Sequence, residues 1–581
     1  PFVFAVDDTA LLELTSALMR VWVDDALVTR VAVSTAITNG GMAQYTTPVT
    51  IDNSTPAVAT FTYTGADNFA NNDTFTLAVG TTYYVKDVVV GANTFNASLT
   101  AGGAGIVTTT AGSGTHTINS LSFVEGWADA DEAGATSQYA ASGYMSLQGT
   151  GELAAIRTQT VTVAGADQNK EHALRVTVYQ GECYIRVGST SGGDEYVTET
   201  FLYPGVHSLA FTPTGNFYIK LFSTEEYPTL IDSIAIEAAG VLTLPTPWTT
   251  ATHLNDVRID QSGDVVFVAC YGVKPKRIER RSTTSWSVAD YVTDDGPFRA
   301  MNFTATTLTA SAAVGAITLT ALKPLFKSTH VGALFEITAP GQEVVATVVA
   351  ENTGTEAIRV FGVGSDRTFT YSILGYPAVA TVWLQKSADG ATWVDVFSRN
   401  PDYRAFPPYT DGLDNQEVYY RLFVKTGGYT SGTIPLKLSY PRGSTTGWTR
   451  IAGYTSTTIA SASVLKNLGG TTATKNWAEG AWSDYRGYPA AVALHEARLW
   501  WAGKDRVDGS IVDAYNSMDK AFEGDAGPIS RSIGTGPVDK LRWMMSGQRL
   551  LVGGQGNAWV IKSSSLDEPI TPTNFNLKPA A

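Results

Sequence analysis

The chain has 581 residues, a formal net charge of −14, 44% hydrophobic and 16% charged residues, and two cysteines. That length excludes a single core and leads us to expect roughly three to five domains. The acidic balance argues against general gripping of a phosphate backbone, which needs positive charge, and two cysteines exclude a disulfide scaffold.

The first 33 residues read as strands: 11–14, 18–23, a turn at Asp24-Asp25, then 27–33. They are expected to begin a propeller-like body. From 34 to 120 the composition shifts to Thr, Ala, Asn and Gly, with strands near 57–63, 74–79 and 82–90 and a turn at 71–73. We read this as a small inserted β-domain with Gly-rich loops at 101–105 and 111–115. Residues 121–240 carry alternating strands near 173–179, 183–188, 207–213 and 217–222, the pattern of an inserted jelly-roll-like β-sandwich. A propeller-like blade region follows at 241–304 and a second inserted β-domain at 305–445, where Asp389-Gly390 is a hairpin signal. Blade sequence returns at 446–581. The fold class is therefore all-β: a propeller-like body interrupted by sandwich or barrel domains. The best short helix candidate is 512–523.

The propeller expectation rests on recurrence. DVVFVAC at 264–270, ARLWWAG at 497–503 and QRLLVGG at 548–554 are each a short apolar strand ending on small residues. Each follows a tight turn and an earlier strand (257–259, 492–494, 541–545). Such a unit cannot bury its own face alone, so its repetition signals blades or stacked sheets.

Cys183 and Cys270 lie in strand-like runs and are expected to be buried thiols. No run approaches the ~18 apolar residues of a membrane helix, and no signal peptide is evident. Both ends read as cut from something longer.

No catalytic motif is found: the sequence lacks a nucleophile elbow, a phosphate loop, a His-Glu-x-x-His helix and a Cys-x-x-Cys pair. His116, His172, His207, His253, His330 and His495 have no metal-ligand spacing, so we expect no enzyme, metal or cofactor. Asp129, Asp131 and Glu132, or Asp194 and Glu195, form oxygen-rich loops that suit either calcium or plain solvated turns. Trp500-Trp501 and Trp477, Trp482, Tyr485 and Tyr488 read as packing between blades, with a sugar-stacking platform as the alternative. Lys274-Pro-Lys-Arg-Ile-Glu-Arg-Arg281 is the main basic cluster. Alternation puts Lys276, Ile278 and Arg280 on one face and Arg277, Glu279 and Arg281 on the other. Lys274, Lys276, Arg277, Arg280 and Arg281 are thus candidates for contact with an acidic neighbouring subunit or with DNA. A solvated edge that blocks strand pairing is the plainer reading.

The order of several phrases resembles the tail nozzle proteins of short-tailed bacteriophages, the tail tubular protein B group. They are PFVF at 1–4, LNDVRIDQSGDVVF at 254–267 with KPKR at 274–277, HVGALF at 330–335 and KTGGYTSG at 425–432. EGAWSDYRGYP at 479–489, LHEARLWWAG at 494–503 and ITPTNF at 570–575 are the most specific. The resemblance implies a structural virion protein in the phage tail, assembled in the host cytoplasm as a homohexameric ring. It would form the distal tail tube or nozzle that retains and ejects DNA, with no specific DNA binding and no membrane span. Its partners would be further copies, a tail adaptor above and tail fibres. Segments 34–120 and 121–240 depart from the shorter members and look like grafted adhesive modules. They keep open an alternative, a host-glycan-binding adhesion protein of the virion surface.

Overall fold

The computed structural model describes residues 2–5, 8–42, 46–52, 60–63, 74–77, 81–89, 94–99, 103–105, 115–120, 126–140, 143–402, 406–533, 540–565 and 568–580. The turn expected at 71–73 and parts of the Gly-rich loops at 101–105 and 111–115 lie outside them. The chain is almost entirely β and divides into two compact units.

The first unit comprises 1–292, 489–516 and 529–581. Its described residues include four antiparallel meanders. The first joins Phe2–Ala5, Asp8–Thr15, Leu18–Val23 and Thr243–Pro245 in that order. Asp24 and Asp25 both take positive φ, 50° and 60°, and make the tight turn that the sequence signals. The second runs Arg258–Ser262, Val265–Cys270, Val273–Arg280, Trp286–Asp290. Apolar residues of these two meanders, among them Met19, Val21, Val266, Val268, Ile278 and Trp286, share one core. The third (Ala491–His495, Arg498–Gly503, Arg506–Gly509, Ile529–Ser532) and fourth (Trp543–Ser546, Leu550–Gly553, Ala558–Lys562, Asn576–Pro579) share another around Trp500, Leu550 and Trp559.

Between the first two meanders lie two further domains. Thr46–Asp52, Thr60–Tyr63, Thr74–Leu77, Thr81–Val89, Thr94–Ser98 and Thr115–Ser120 close into a barrel. Residues 127–237 form a sandwich around a core that includes Trp127, Leu147, Val176, Ile185, Leu209 and Ile219. One layer is a five-stranded sheet ordered Ala128–Asp129, Ala155–Val161, Phe217–Ser223, Cys183–Gly188, Val197–Leu202. The other continues without a break: Gly205–Phe211 pairs with Trp286–Asp290, so sandwich and second meander share a nine-stranded sheet. Both cysteines are free and buried, and burial pushes the Cys183 thiol up.

The second unit comprises 293–488 and 517–528. A six-stranded sheet joins Leu308–Ala310, Ala316–Ala321, Ile459–Lys466, Thr445–Ser456, Leu334–Ala339 and Trp477–Glu479. Residues 445–466, at the seam between the second inserted domain and the final blade region, therefore pair with 316–321 and 334–339. A separate core within 344–440 is built on Tyr420, Leu422, Leu436 and Leu438.

The 512–523 helix does not form. Asp513 takes a left-handed φ of 59°, and Asp295 accepts from the Met518 N–H at 2.6 Å and from the Ser517 hydroxyl. Those tethers replace the bonds a helix would make. An α-helix sits instead at Ala251–Asp256, where the Thr250 hydroxyl accepts from the His253 N–H at 3.1 Å.

In the second unit Arg367 and Asp411 are 0% and 1% exposed and joined by two bonds, Nε to Oδ1 at 2.6 Å and Nη2 to Oδ2 at 2.7 Å. Tyr420 donates to the same carboxylate at 2.6 Å. Removing one partner of such a pair strands the other charge in a dry core. Arg367→Ala is expected to cost about 3–5 kcal/mol, read as an earlier denaturant midpoint for the second unit.

Candidate functional site

The basic strand Val273–Arg280 lies inside the second meander, paired on one side with Val265–Cys270 and on the other with Trp286–Asp290. The expectation of a solvated edge is therefore corrected: both rows of its backbone groups are engaged. The predicted alternation of faces is seen. Ile278 enters the core, and its face-mates Lys276 and Arg280 keep their charged ends at the rim.

Each of the five candidate cations has a carboxylate partner in the same chain. Lys274 Nζ reaches Asp290 Oδ2 at 2.6 Å, and Lys276 pairs with Asp290 Oδ1. Arg280 meets Asp264 at 3.4 Å and places its guanidinium 5.9 Å from the Phe2 ring centre. On the opposite face Arg277 and Arg281 share Glu279, at 2.6 Å and 2.9 Å. Arg277 also stacks 4.3 Å from the Tyr203 ring centre, and Arg281 donates to the Phe201 carbonyl at 2.9 Å. Lys274 keeps the most exposed side chain of the five, at 37%. Burial pushes the Asp290 carboxyl up, but the two lysine ammoniums outweigh it and hold it at about 2.

His207 lies where sandwich and meander share their sheet. Its side chain is fully buried, with Nε2 2.8 Å from the Tyr203 carbonyl and Nδ1 2.9 Å from the Ser287 hydroxyl. The carbonyl only accepts, so Nε2 carries the proton and Nδ1 accepts from Ser287. Burial lowers the imidazole to about 4, against which the nearby Glu279 acts only in part.

Carboxylates of the oxygen-rich loops are engaged by backbone N–H groups. Asp131 accepts from the N–H groups of Ser137 and Ile156 at 2.5 and 2.6 Å, and Glu132 from Ala154 at 2.7 Å. Glu195 accepts from Ser189 at 2.9 Å. Among the described residues, no three His, Cys, Asp or Glu gather as metal ligands. Trp500 and Trp501 are both 0% exposed, which removes them as sugar platforms; Trp501 instead packs 4.6 Å from Tyr291.

One group was passed over in the sequence reading. Tyr184, Phe201 and Phe222 stand side by side on the outward face of the five-stranded sheet of the sandwich. The signal was present in the strict alternation of Phe217-Tyr-Ile-Lys-Leu-Phe222, which puts an aromatic residue where water-facing strands ordinarily carry polar ones.

No protein-family model and no curated protein matches the chain. Among solved structures, it is similar to the N-terminal CBM22-1-CBM22-2 tandem domain of Paenibacillus barcinonensis Xyn10C at 10% identity. That match covers 59% of this chain and 94% of that one, with a TM-score of 0.14. The M60 catalytic domain with CBM51-1 and CBM51-2 from Clostridium perfringens ZmpB matches at 8% identity, covering 75% and 55%, with a TM-score of 0.13. Scores this low carry no argument about fold or function.

Two outcomes are expected from this geometry. Asp290→Asn leaves two ammoniums without their shared carboxylate and should cost about 2 kcal/mol at neutral pH, measured by urea unfolding. His207 binds its proton less readily folded than unfolded, so its contribution is complete above pH 6.5 and falls away as pH drops towards 4. Integrated over that window it amounts to about 3 kcal/mol. The stability gap between the wild-type chain and His207→Gln should narrow over the same range.

Proposed function

We propose that this chain is a structural subunit of a short-tailed bacteriophage tail, forming the distal nozzle through which DNA is held and then ejected. The observation that carries the reading is the ordered series of phrases described above, running from the first strand to ITPTNF at 570–575. A propeller-like body belongs to the same proposal, and the first strands of the meanders support it. Asp260 in the second accepts from the Leu494 N–H in the third at 2.7 Å, and His495, which ends the first strand of the third, bonds Ser546 of the fourth at 3.0 Å. Gln261 exchanges bonds of 3.2 and 2.8 Å with the backbone of Val3 in the first. First strands meeting one after another in this way are what blades around an axis require.

In this reading the partners are further copies of the chain and an adaptor above, with tail fibres beside them. Closure into a ring would gather the charge of −14 per chain around the lumen and give DNA a repulsive wall without specific contacts. Lys274 and Arg281, the more exposed members of the basic strand's two faces, are the proposed points of contact with a neighbouring acidic surface.

The test is light scattering on the purified chain, with negative-stain images of the same sample. A ring of about six copies with a central opening is expected. A monodisperse monomer at low and high concentration, with no rings on the grid, overturns the proposal.

A further inference from the structure

The five-stranded sheet of the sandwich buries one face and presents the other. Phe217, Ile219 and Leu221 point into the core with 0% exposure, as do Cys183, Ile185 and Val187. The intervening Tyr218, Lys220 and Phe222, and Tyr184 and Arg186, therefore point outward, and all five are half-buried. The register then builds two rows across the strands. Phe222 lies opposite Tyr184, and Tyr184 opposite Phe201. Lys220 lies opposite Thr158 on one side and Arg186 on the other, with Glu199 beyond.

The aromatic row is continuous. The rings of Tyr184 and Phe222 are stacked with centres 5.2 Å apart at 16°, and Phe201 meets Tyr184 edge-on at 5.0 Å. Tyr203 extends the row, 4.8 Å from Phe201. The polar row runs beside it: Arg186 donates from Nε to Glu199 at 2.8 Å, and Lys220 Nζ stands 4.8 Å from the Phe222 ring centre. Lys220 has no carboxylate partner among the described residues.

We propose that this face binds a neutral carbohydrate chain, independently of whether the protein forms a ring. A pyranose has an apolar C–H face, which matches the aromatic row, and a rim of hydroxyls, which matches donors and acceptors one row away. A protein partner would ask for an interface centre depleted of Lys and Glu, whereas Lys220 and Glu199 run along the middle of this one. A single nucleic-acid strand also stacks on aromatic rings, but it needs a net positive groove. Here Glu199 neutralises Arg186, leaving one lysine on a chain of charge −14.

The test is titration calorimetry on the full chain with four neutral hexasaccharides (β-1,4-glucan, β-1,4-xylan, β-1,4-mannan and α-1,4-glucan) and a single-stranded oligothymidine, at low and high salt. Saturable binding of at least one sugar, indifferent to salt, is expected. Tyr184→Ala and Phe222→Ala should each weaken it about tenfold or more. Lys220→Ala, a change at a half-exposed side chain with no ion pair, should weaken it several-fold with an unaltered thermal midpoint. Failure of all four sugars to bind overturns the proposal. So does sugar binding that survives Lys220→Ala and Tyr184→Ala unchanged, or binding of the oligothymidine alone that fades with salt.

Discussion

The pairing of Gly205–Phe211 with Trp286–Asp290 is the constraint on which the first unit depends. It turns an inserted domain into a continuation of the meander's own sheet, so the sandwich cannot swing as a module on a linker would. Gly205 begins the shared strand at a φ of 147°, and a Cβ there would lie 2.5 Å from the Ala289 Cα. Only glycine lets the two strands approach at that point. Arg30 reinforces the same region from outside the sheet. Its guanidinium donates to Glu237 at 2.6 Å, Ser208 at 2.7 Å and the Thr284 carbonyl at 2.8 Å. A single cation thus ties the chain before the barrel to the sandwich and to the turn that precedes Trp286.

Because the sheet is continuous, polar groups at the seam are sealed from water. That is why His207 stays neutral and why Glu279 is shared by two arginines. In a β-sheet, cations that alternate along one strand meet carboxylates on the strands beside it, so the partners are set by register. Lys274, Lys276 and Arg280 follow this rule, since Asp290 and Asp264 come from either side of the strand, whereas Arg277 and Arg281 share Glu279 of their own strand.

The same rule marks how far the sequence could be read. Turns with their own chemistry were legible: Asp24-Asp25, and Asp389-Gly390, where the Asp389 carboxylate accepts from the N–H groups of Ala391 and Thr392. So were the recurring strands, since Arg498–Gly503 and Leu550–Gly553 fall within the predicted runs. Alternation also assigned the two faces of the basic strand. It did not reveal that carboxylates waited on both sides, because register between strands leaves no trace in the spacing of one strand. Nor did it reveal barrel closure or the shared nine-stranded sheet, which are decided by pairings between segments far apart in the chain. The false helix at 512–523 failed for a related reason: its local pattern was overruled by Asp295, more than two hundred residues earlier.

This internal pairing bears on the proposed conduit. If the Lys274–Arg281 strand carried free cations, a DNA strand passing nearby would be held by each of them, and its release would depend on salt. With Asp290, Glu279 and Asp264 engaging all five, the cluster's excess positive charge is cut from five to two, and the net negative charge of the chain must come from side chains elsewhere. A pre-paired strand is also easily re-paired: an acidic surface on a neighbouring subunit would compete with Asp290 for Lys274 while Lys276 keeps its hold. Contact there would exchange one ion pair for another, which favours correct orientation over strong adhesion. For the proposed ring, which would have to assemble in register and still let DNA slide, that balance would be the physically useful one.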